Sequence, residues 1–98
     1  MLNARQRAHL RSLAHELKPV VRIGKEGVTD AAVSATAEAL SRRELLKVRV
    51  LEGAPDTPRN AAQTLAEGVP DVEIVQVIGR TAVLYRRHPE RPKIALPQ

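Results

Sequence analysis

The 98-residue chain contains no cysteine, phenylalanine or tryptophan, and Tyr85 is its single aromatic ring. Without cysteine there are no disulfides, no thiol nucleophile and no cysteine-based zinc site, a composition that fits a reducing compartment. With one aromatic ring the chain has no platform on which to stack several bases, the mode used by RRM domains. No apolar run approaches the roughly 20 residues that a membrane-spanning helix needs, so no membrane partner is expected. No Walker loop, G-x-S-x-G elbow or G-x-G-x-x-G fingerprint occurs. His9 and His15 are six residues apart and do not share a helix face, and no cysteine joins them or His88 in a metal site. The acids are scattered and form no evident general acid–base pair. No catalytic residue, metal, cofactor or small-molecule substrate is expected.

What the chain does have is positive charge. It carries 16 Lys/Arg against 11 Asp/Glu, a formal net charge of +5, and twelve of the sixteen cations are arginine. Arginine offers a planar fork of donors suited to phosphate. A basic balance favours an anionic partner such as nucleic acid, an acidic protein or a membrane surface. The distribution is uneven. Residues 1–51 carry ten Lys/Arg and five Asp/Glu, residues 52–73 one and five, and residues 74–98 five and one. An anion-binding surface built by this chain would use its two ends and avoid its middle.

At this length the chain is one domain, spanning residues 1–98. Asn3 is a good helix cap, and Leu10, Leu13, Ala14 and Leu17 recur at helical spacing, which predicts a helix from about Ala4 to Glu16, closed by Pro19. Arg5, Arg7 and Arg11, with no acid among them, also resemble a mitochondrial presequence, but the apolar stripe reads better as a core face. Val20–Ile23 is a short strand. Thr29 caps a second helix with Asp30 in its first turn and Val33, Ala37 and Leu40 inward. In "ELLKVRVLE", Leu46, Val48 and Val50 point one way and Lys47 and Arg49 the other, a strand with one buried face. Thr57 and Pro58 open a third helix that buries Ala61, Ala62 and Leu65 and stops at Gly68. "VEIVQVIGRTAVLYRR" is a hairpin about Gly79-Arg80, of the type II′ that places glycine first. Lys93–Leu96 is expected to add a short edge strand. The fold class is therefore α/β: one small domain in the order α-β-α-β-α-β-β, with a mixed four-stranded sheet and helices packed on it.

One stretch points to chemistry. "PVVRIGKEGVTDAAV" runs strand, Gly-x-x-Gly loop, helix. Gly24 and Gly27 permit unusual backbone angles and close approach of a ligand. The loop leads into a helix N-terminus, where the dipole favours an anion. Lys25 lies inside it and Arg22 just before it, and a loop of this kind clamps a nucleic-acid backbone in KH domains. Glu26 opposes phosphate unless it points away, and a plain strand-to-helix turn would use the same two glycines. Lys47 and Arg49 serve either as further contacts or as guards of an open sheet face.

The stretches "LRSLAHELKPVVRIGKEGVTDAAV", "ELLKVRV" and "VQVIGRTAVLYRR" with "KIALP" together resemble the YhbY-like RNA-binding proteins, built on the CRM (chloroplast RNA splicing and ribosome maturation) domain. The resemblance covers almost the whole chain. It implies a fold similar to the C-terminal domain of translation initiation factor three, and association with precursors of the large ribosomal subunit. By position it implies a loop at Gly24, Lys25, Glu26 and Gly27, basic positions at Lys18 and Arg22, and further ones at Arg80 and, after Tyr85, Arg86. Together with Lys47 and Arg49 these form the expected RNA-binding set. The expected partner is ribosomal RNA or a pre-large-subunit particle, bound by a cytoplasmic monomer through phosphate contacts. Two readings from other classes compete: a module docking on an acidic or ribosomal protein, and a small enzyme acting on an anionic metabolite.

Overall fold

A computed structural model describes residues 1–98. Its elements run α1 (Ala4–Ala14), β1 (Pro19–Ile23), α2 (Asp30–Arg42), β2 (Leu45–Val50), α3 (Pro58–Gly68), β3 (Glu73–Ile78) and β4 (Thr81–Tyr85). The order is the expected one, and each helix starts on its expected cap. Asn3 and Gln6 form a reciprocal capping box at α1, Thr29 accepts from the Ala32 N–H at α2, and Thr57 accepts from the Asn60 N–H at α3, where Pro58 fills the first turn. Each cap satisfies a backbone donor that has no partner within the helix.

The sheet is mixed and four-stranded, in the order β1-β2-β4-β3. β1 and β2 are parallel, as a strand–helix–strand crossover requires, and β4 is antiparallel to both of its neighbours. At the hairpin, φ is +56° at Gly79, while Arg80 is not among the positive-φ residues, as a type II′ turn demands. The last strand in sequence thus lies between β2 and β3.

Two apolar clusters cover the two faces. On one, α2 and α3 bury Val21, Ile23, Leu46, Val48, Val50, Ala82 and Leu84 against Leu40, Ala61, Ala62 and Leu65. On the other, α1 places Leu10 and Ala14 over Leu45, Val75, Val83 and Tyr85, with Leu2 beside them. β2 therefore starts with two consecutive buried leucines, Leu45 facing α1 and Leu46 facing α2 and α3. Arg7 of α1 donates to the carbonyls of Ile74 (2.6 Å) and Val75 (2.8 Å), where a register shift interrupts the β3–β4 ladder. The Tyr85 ring is core, only 3% exposed, and its hydroxyl has no hydrogen-bond partner. Burial pushes its phenol above the ordinary tyrosine range, the Glu44 and Glu73 charges add to the rise, and Arg87 opposes it.

Four expectations need correction. α1 ends at Ala14 rather than near Glu16, because its seating on the sheet runs through Leu10 and Ala14. Leu13, one side of that line, is 39% exposed, and Leu17 is only half-buried. Val33 is half-buried because it lies where α2 meets α3, while Thr36 takes the fully buried position. The Thr36 hydroxyl donates to the Ala32 carbonyl at 2.8 Å, which makes a buried polar residue tolerable there. Lys93–Leu96 is not a strand.

The tail is held by a carboxylate instead. Glu44, buried just before β2, accepts from the His88 N–H at 2.7 Å through one oxygen, and from the Lys93 and Ile94 N–H groups at 2.8 Å through the other. Those N–H groups are spent on Glu44 and cannot enter a ladder, and Ile94 and Leu96 pack on the α1-side cluster. Burial alone would raise the Glu44 carboxyl, but the three backbone donors and the nearby His88 outweigh it and hold it below the ordinary glutamate range. A native pKa below the unfolded one means the stabilisation is fully present above about pH 4.3 and is lost as pH falls through the native value. Glu44→Gln should destabilise the domain at pH 7 by about 1–3 kcal/mol, the range for losing hydrogen bonds to a charged group. Urea unfolding at pH 7 and at pH 3 measures this, and the gap between wild type and variant should narrow at the lower pH.

Candidate nucleic-acid interface

Alternation along β2 puts Lys47 and Arg49 on the α1 side of the sheet together with Leu45. α1 covers only the Leu45 end of that side. The parallel register places Arg22 of β1 beside Arg49, and Arg49 also faces Thr81 of β4. Neighbouring strands lie about 4.8 Å apart, so Arg22, Lys47 and Arg49 share one small area of open sheet. Arg22 and Arg49 are exposed and Lys47 is half-buried. A groove runs along the boundary of the covered half, walled by Arg11 and His15 of α1 and floored by Lys47, Gln76, Ile78 and Thr81. Ile78, 63% exposed, brings an apolar side chain to its rim. No acidic side chain lines this groove.

The Gly24–Gly27 loop leaves β1 at the Arg22 end of this area. It is a tight turn in which the Gly27 N–H donates to the Gly24 carbonyl at 2.9 Å. Gly27 is buried with φ +73°, and a Cβ there would lie 3.1 Å from Pro55 Cγ and 3.2 Å from Asp56 Oδ2. The second glycine is thus required by its packing on the loop after β2. Its N–H is spent, and Asp30 already occupies the first turn of α2. Lys25 and Glu26 stand exposed at the tip. Arg80 fixes the neighbouring hairpin, donating from Nε to the Val50 carbonyl and from Nη2 to the Leu51 carbonyl, both at 2.7 Å.

The charges around this surface are largely unneutralised. Among all Lys and Arg side chains only Arg42 makes an ion pair, with Glu38, and the other pair joins the N-terminal amine to Glu73. A model of the CRS1/YhbY (CRM) domain matches residues 2–86. The chain belongs to the CRM domain family. It is 42% identical over 97 residues to the Bacillus subtilis protein named "Probable RNA-binding protein YqeI", covering 99% of this chain and 100% of that one. A Haemophilus influenzae protein named "RNA-binding protein" is 35% identical over 97 residues, covering 99% and 96%. The solution structure of a Staphylococcus aureus protein put forward as RNA-binding superposes with a TM-score of 0.82 at 41% identity, covering 99% and 100%.

In this CRM domain the ten residues expected from sequence do not form one site. Arg22, Lys47 and Arg49 share the open face, with Gly24, Lys25, Glu26, Gly27 and Arg80 at its upper edge. Lys18 precedes β1 and Arg86 follows β4, and since those strands are antiparallel the two residues lie at the opposite end of the sheet. The Arg86 backbone N–H bonds the Glu44 carbonyl at 2.8 Å. From sequence Arg11 is one of three helix arginines that either bind or form a solvated face, and His15 has no site role; both wall the groove. The run of helix arginines without an acid was the available signal, but no local pattern says which of them meets the sheet. The two turn glycines should respond differently to a methyl group. Gly79→Ala meets open space and should cost about 1–2 kcal/mol, the strain of a left-handed backbone. Gly27→Ala adds the contacts with Pro55 and Asp56 and should cost about 1 kcal/mol or more beyond that. Chemical denaturation of the two variants compares them directly.

Proposed function

We propose that this CRM domain binds structured RNA through the sugar–phosphate backbone, using the open half of its sheet, and that its target is ribosomal RNA in large-subunit precursors, whose assembly it assists in the cytoplasm as a monomer. The observation that carries this reading is the set Arg22, Lys47 and Arg49 on one uncovered sheet face, without ion-pair partners and walled by Arg11. Unpaired cations on a face open to solvent attract a polyanion, and this face carries no Phe, Tyr or Trp ring on which successive bases could stack. Relatives named for RNA binding over nearly their whole length favour RNA among polyanions. Recognition then rests on phosphate spacing and helix shape rather than on base sequence.

The Gly24–Gly27 loop takes a modified part in this reading. Its second N–H is occupied, and the Glu26 and Asp56 carboxylates lie in or against the loop. Lys25, continuing the Arg22 line, supplies its attraction, while Gly24 and Gly27 shape the turn that presents it. Arg80 holds the upper edge and adds charge. Lys18 and Arg86 serve RNA that extends past the lower end of the sheet. The domain acts by binding, with no catalytic step.

Affinity for a large-subunit rRNA fragment should fall steeply with salt, with a slope of about one unit per phosphate contact. Arg22→Ala with Arg49→Ala should reduce that slope by about two units, and Lys25→Ala by about one. Arg59→Ala, on α3, should leave it unchanged. Fluorescence anisotropy across a salt series reads all four. A double variant that folds normally and keeps the wild-type slope would remove the sheet face from the interface.

A further inference from the structure

At the end of the sheet opposite the Gly24–Gly27 loop lies a second groove, between the end of α1, the end of α2 and the C-terminal tail. Its floor is aliphatic: Leu13 and Leu17 from one wall, Leu40 beneath, and Ile94 from the tail. Leu13 is one of the few large apolar side chains the domain leaves in solvent. The rim is cationic, with Arg42 and Arg43 at the end of α2 and Arg91 and Lys93 on the tail. Arg43, Arg91 and Lys93 have no ion-pair partner, and Arg42 is held by Glu38. Glu44 is the single acid lining the groove, and its oxygens are taken by the three tail N–H groups. The bordering segments add one carboxylate each, Glu16 and Glu90.

We propose that this groove docks an acidic segment of a partner protein, which seats an aliphatic side chain on Leu13, Leu17 and Ile94 and sets its carboxylates against Arg43, Arg91 and Lys93. The chemistry of the floor selects protein over RNA. A nucleobase seeks a flat π surface, and the one ring on the groove is the His88 imidazole, whose Nδ1 is engaged by the Glu90 and Arg91 N–H groups, whereas an aliphatic side chain gains from leaving water on an aliphatic floor. The rim selects acidic over basic segments, because cations surrounding a low-dielectric floor focus attraction for negative charge. A second copy of this chain fits poorly. It is basic overall, and its acidic stretch, residues 52–73, exposes no large apolar side chain. The domain would thus carry its RNA mainly on the open sheet face and a protein in the groove at the lower end.

A random library of displayed twelve-residue peptides, selected against the full immobilised chain, tests this. The expected winners carry one or two aliphatic residues flanked by Asp and Glu. An enriched peptide, synthesised and titrated by NMR, should shift the amides of Leu13, Leu17, Arg43 and Ile94. Leu13→Asp and Arg43→Glu, both at exposed positions whose folding is checked by thermal unfolding, should weaken it at least tenfold, and Arg59→Ala less than twofold. Replacing the peptide's aliphatic residue with serine should weaken it comparably. The proposal is overturned by any of four results: no acidic-aliphatic peptide is enriched, the enriched peptide ignores both groove variants, the rRNA fragment displaces it from the groove, or the wild type self-associates through the groove in a manner that Leu13→Asp abolishes. None of these contradicts the RNA reading, whose central set of Arg22, Lys47 and Arg49 lies on the open sheet face; of its residues only Lys18 and Arg86 lie at the groove's end of the sheet.

Discussion

A four-stranded sheet has two faces to keep from water, and this chain has three short helices with which to do so. α2 and α3 take one face completely, with Leu65, Ala61 and Ala62 filling the space over β2 and β4. α1 is left alone on the other and covers about half of it, from Leu45 to Val75. The uncovered half faces water, and Val20 and Ile78 are its exposed apolar side chains. Lys47, Arg49 and Arg22 stand where alternation would otherwise put valines. The open face is in this sense the remainder of the packing problem, and its charge is compatible with exposure to water.

The sign of the charge follows from where the acids went. Residues 52–73 hold five of the eleven carboxylates, and they build the loop after β2, α3 and the approach to β3. That segment contributes the outer layer over the α2–α3 side. The α1 side is left with Arg11, Arg22, Lys47 and Arg49 and with no acid in its groove. Segregation of this kind keeps cations unpaired at the cost of some self-repulsion, and an unpaired cation is the form useful to a polyanion. Arg7 and Arg80 show the opposite use of the same side chain. Their guanidinium groups are turned on backbone carbonyls at a bulge and at a strand end, where they complete hydrogen bonds that the ladder leaves open.

The elements were legible because their signals are local. Caps at Asn3, Thr29 and Thr57, proline at the start of α3, and alternation through Leu46, Val48 and Val50 are each read within a few residues, and each reappears in the fold. The open face was half legible. Alternation put Lys47 and Arg49 on one side, but only the β1–β2 register brings Arg22 beside them. What was not legible is long-range. Glu44 looks like the start of an ordinary strand until residues 44 to 50 positions away turn three N–H groups upon it. Leu13 looks like core until the line of α1 on the sheet is known. Nothing near Gly27 in sequence announces that Pro55 and Asp56 lie against it. In each case the deciding contact joins segments that no periodicity relates.

The position of β4 bears on how the domain comes into being. It is the last strand to be synthesised, yet it joins β2 to β3 and makes more ladder than any other strand. A nascent chain that has released everything through β3 holds one parallel pair, β1 with β2, and a third strand with no neighbour. Parallel pairing is the slower and weaker kind, and such a half-sheet presents bare edges on both sides. The full sheet can therefore form only after β4 is available to pair with both β2 and β3. β4 sets Tyr85 opposite Leu45 and Thr81 next to Arg49, so the open face that carries Arg22, Lys47 and Arg49 is complete only once this last strand is in place.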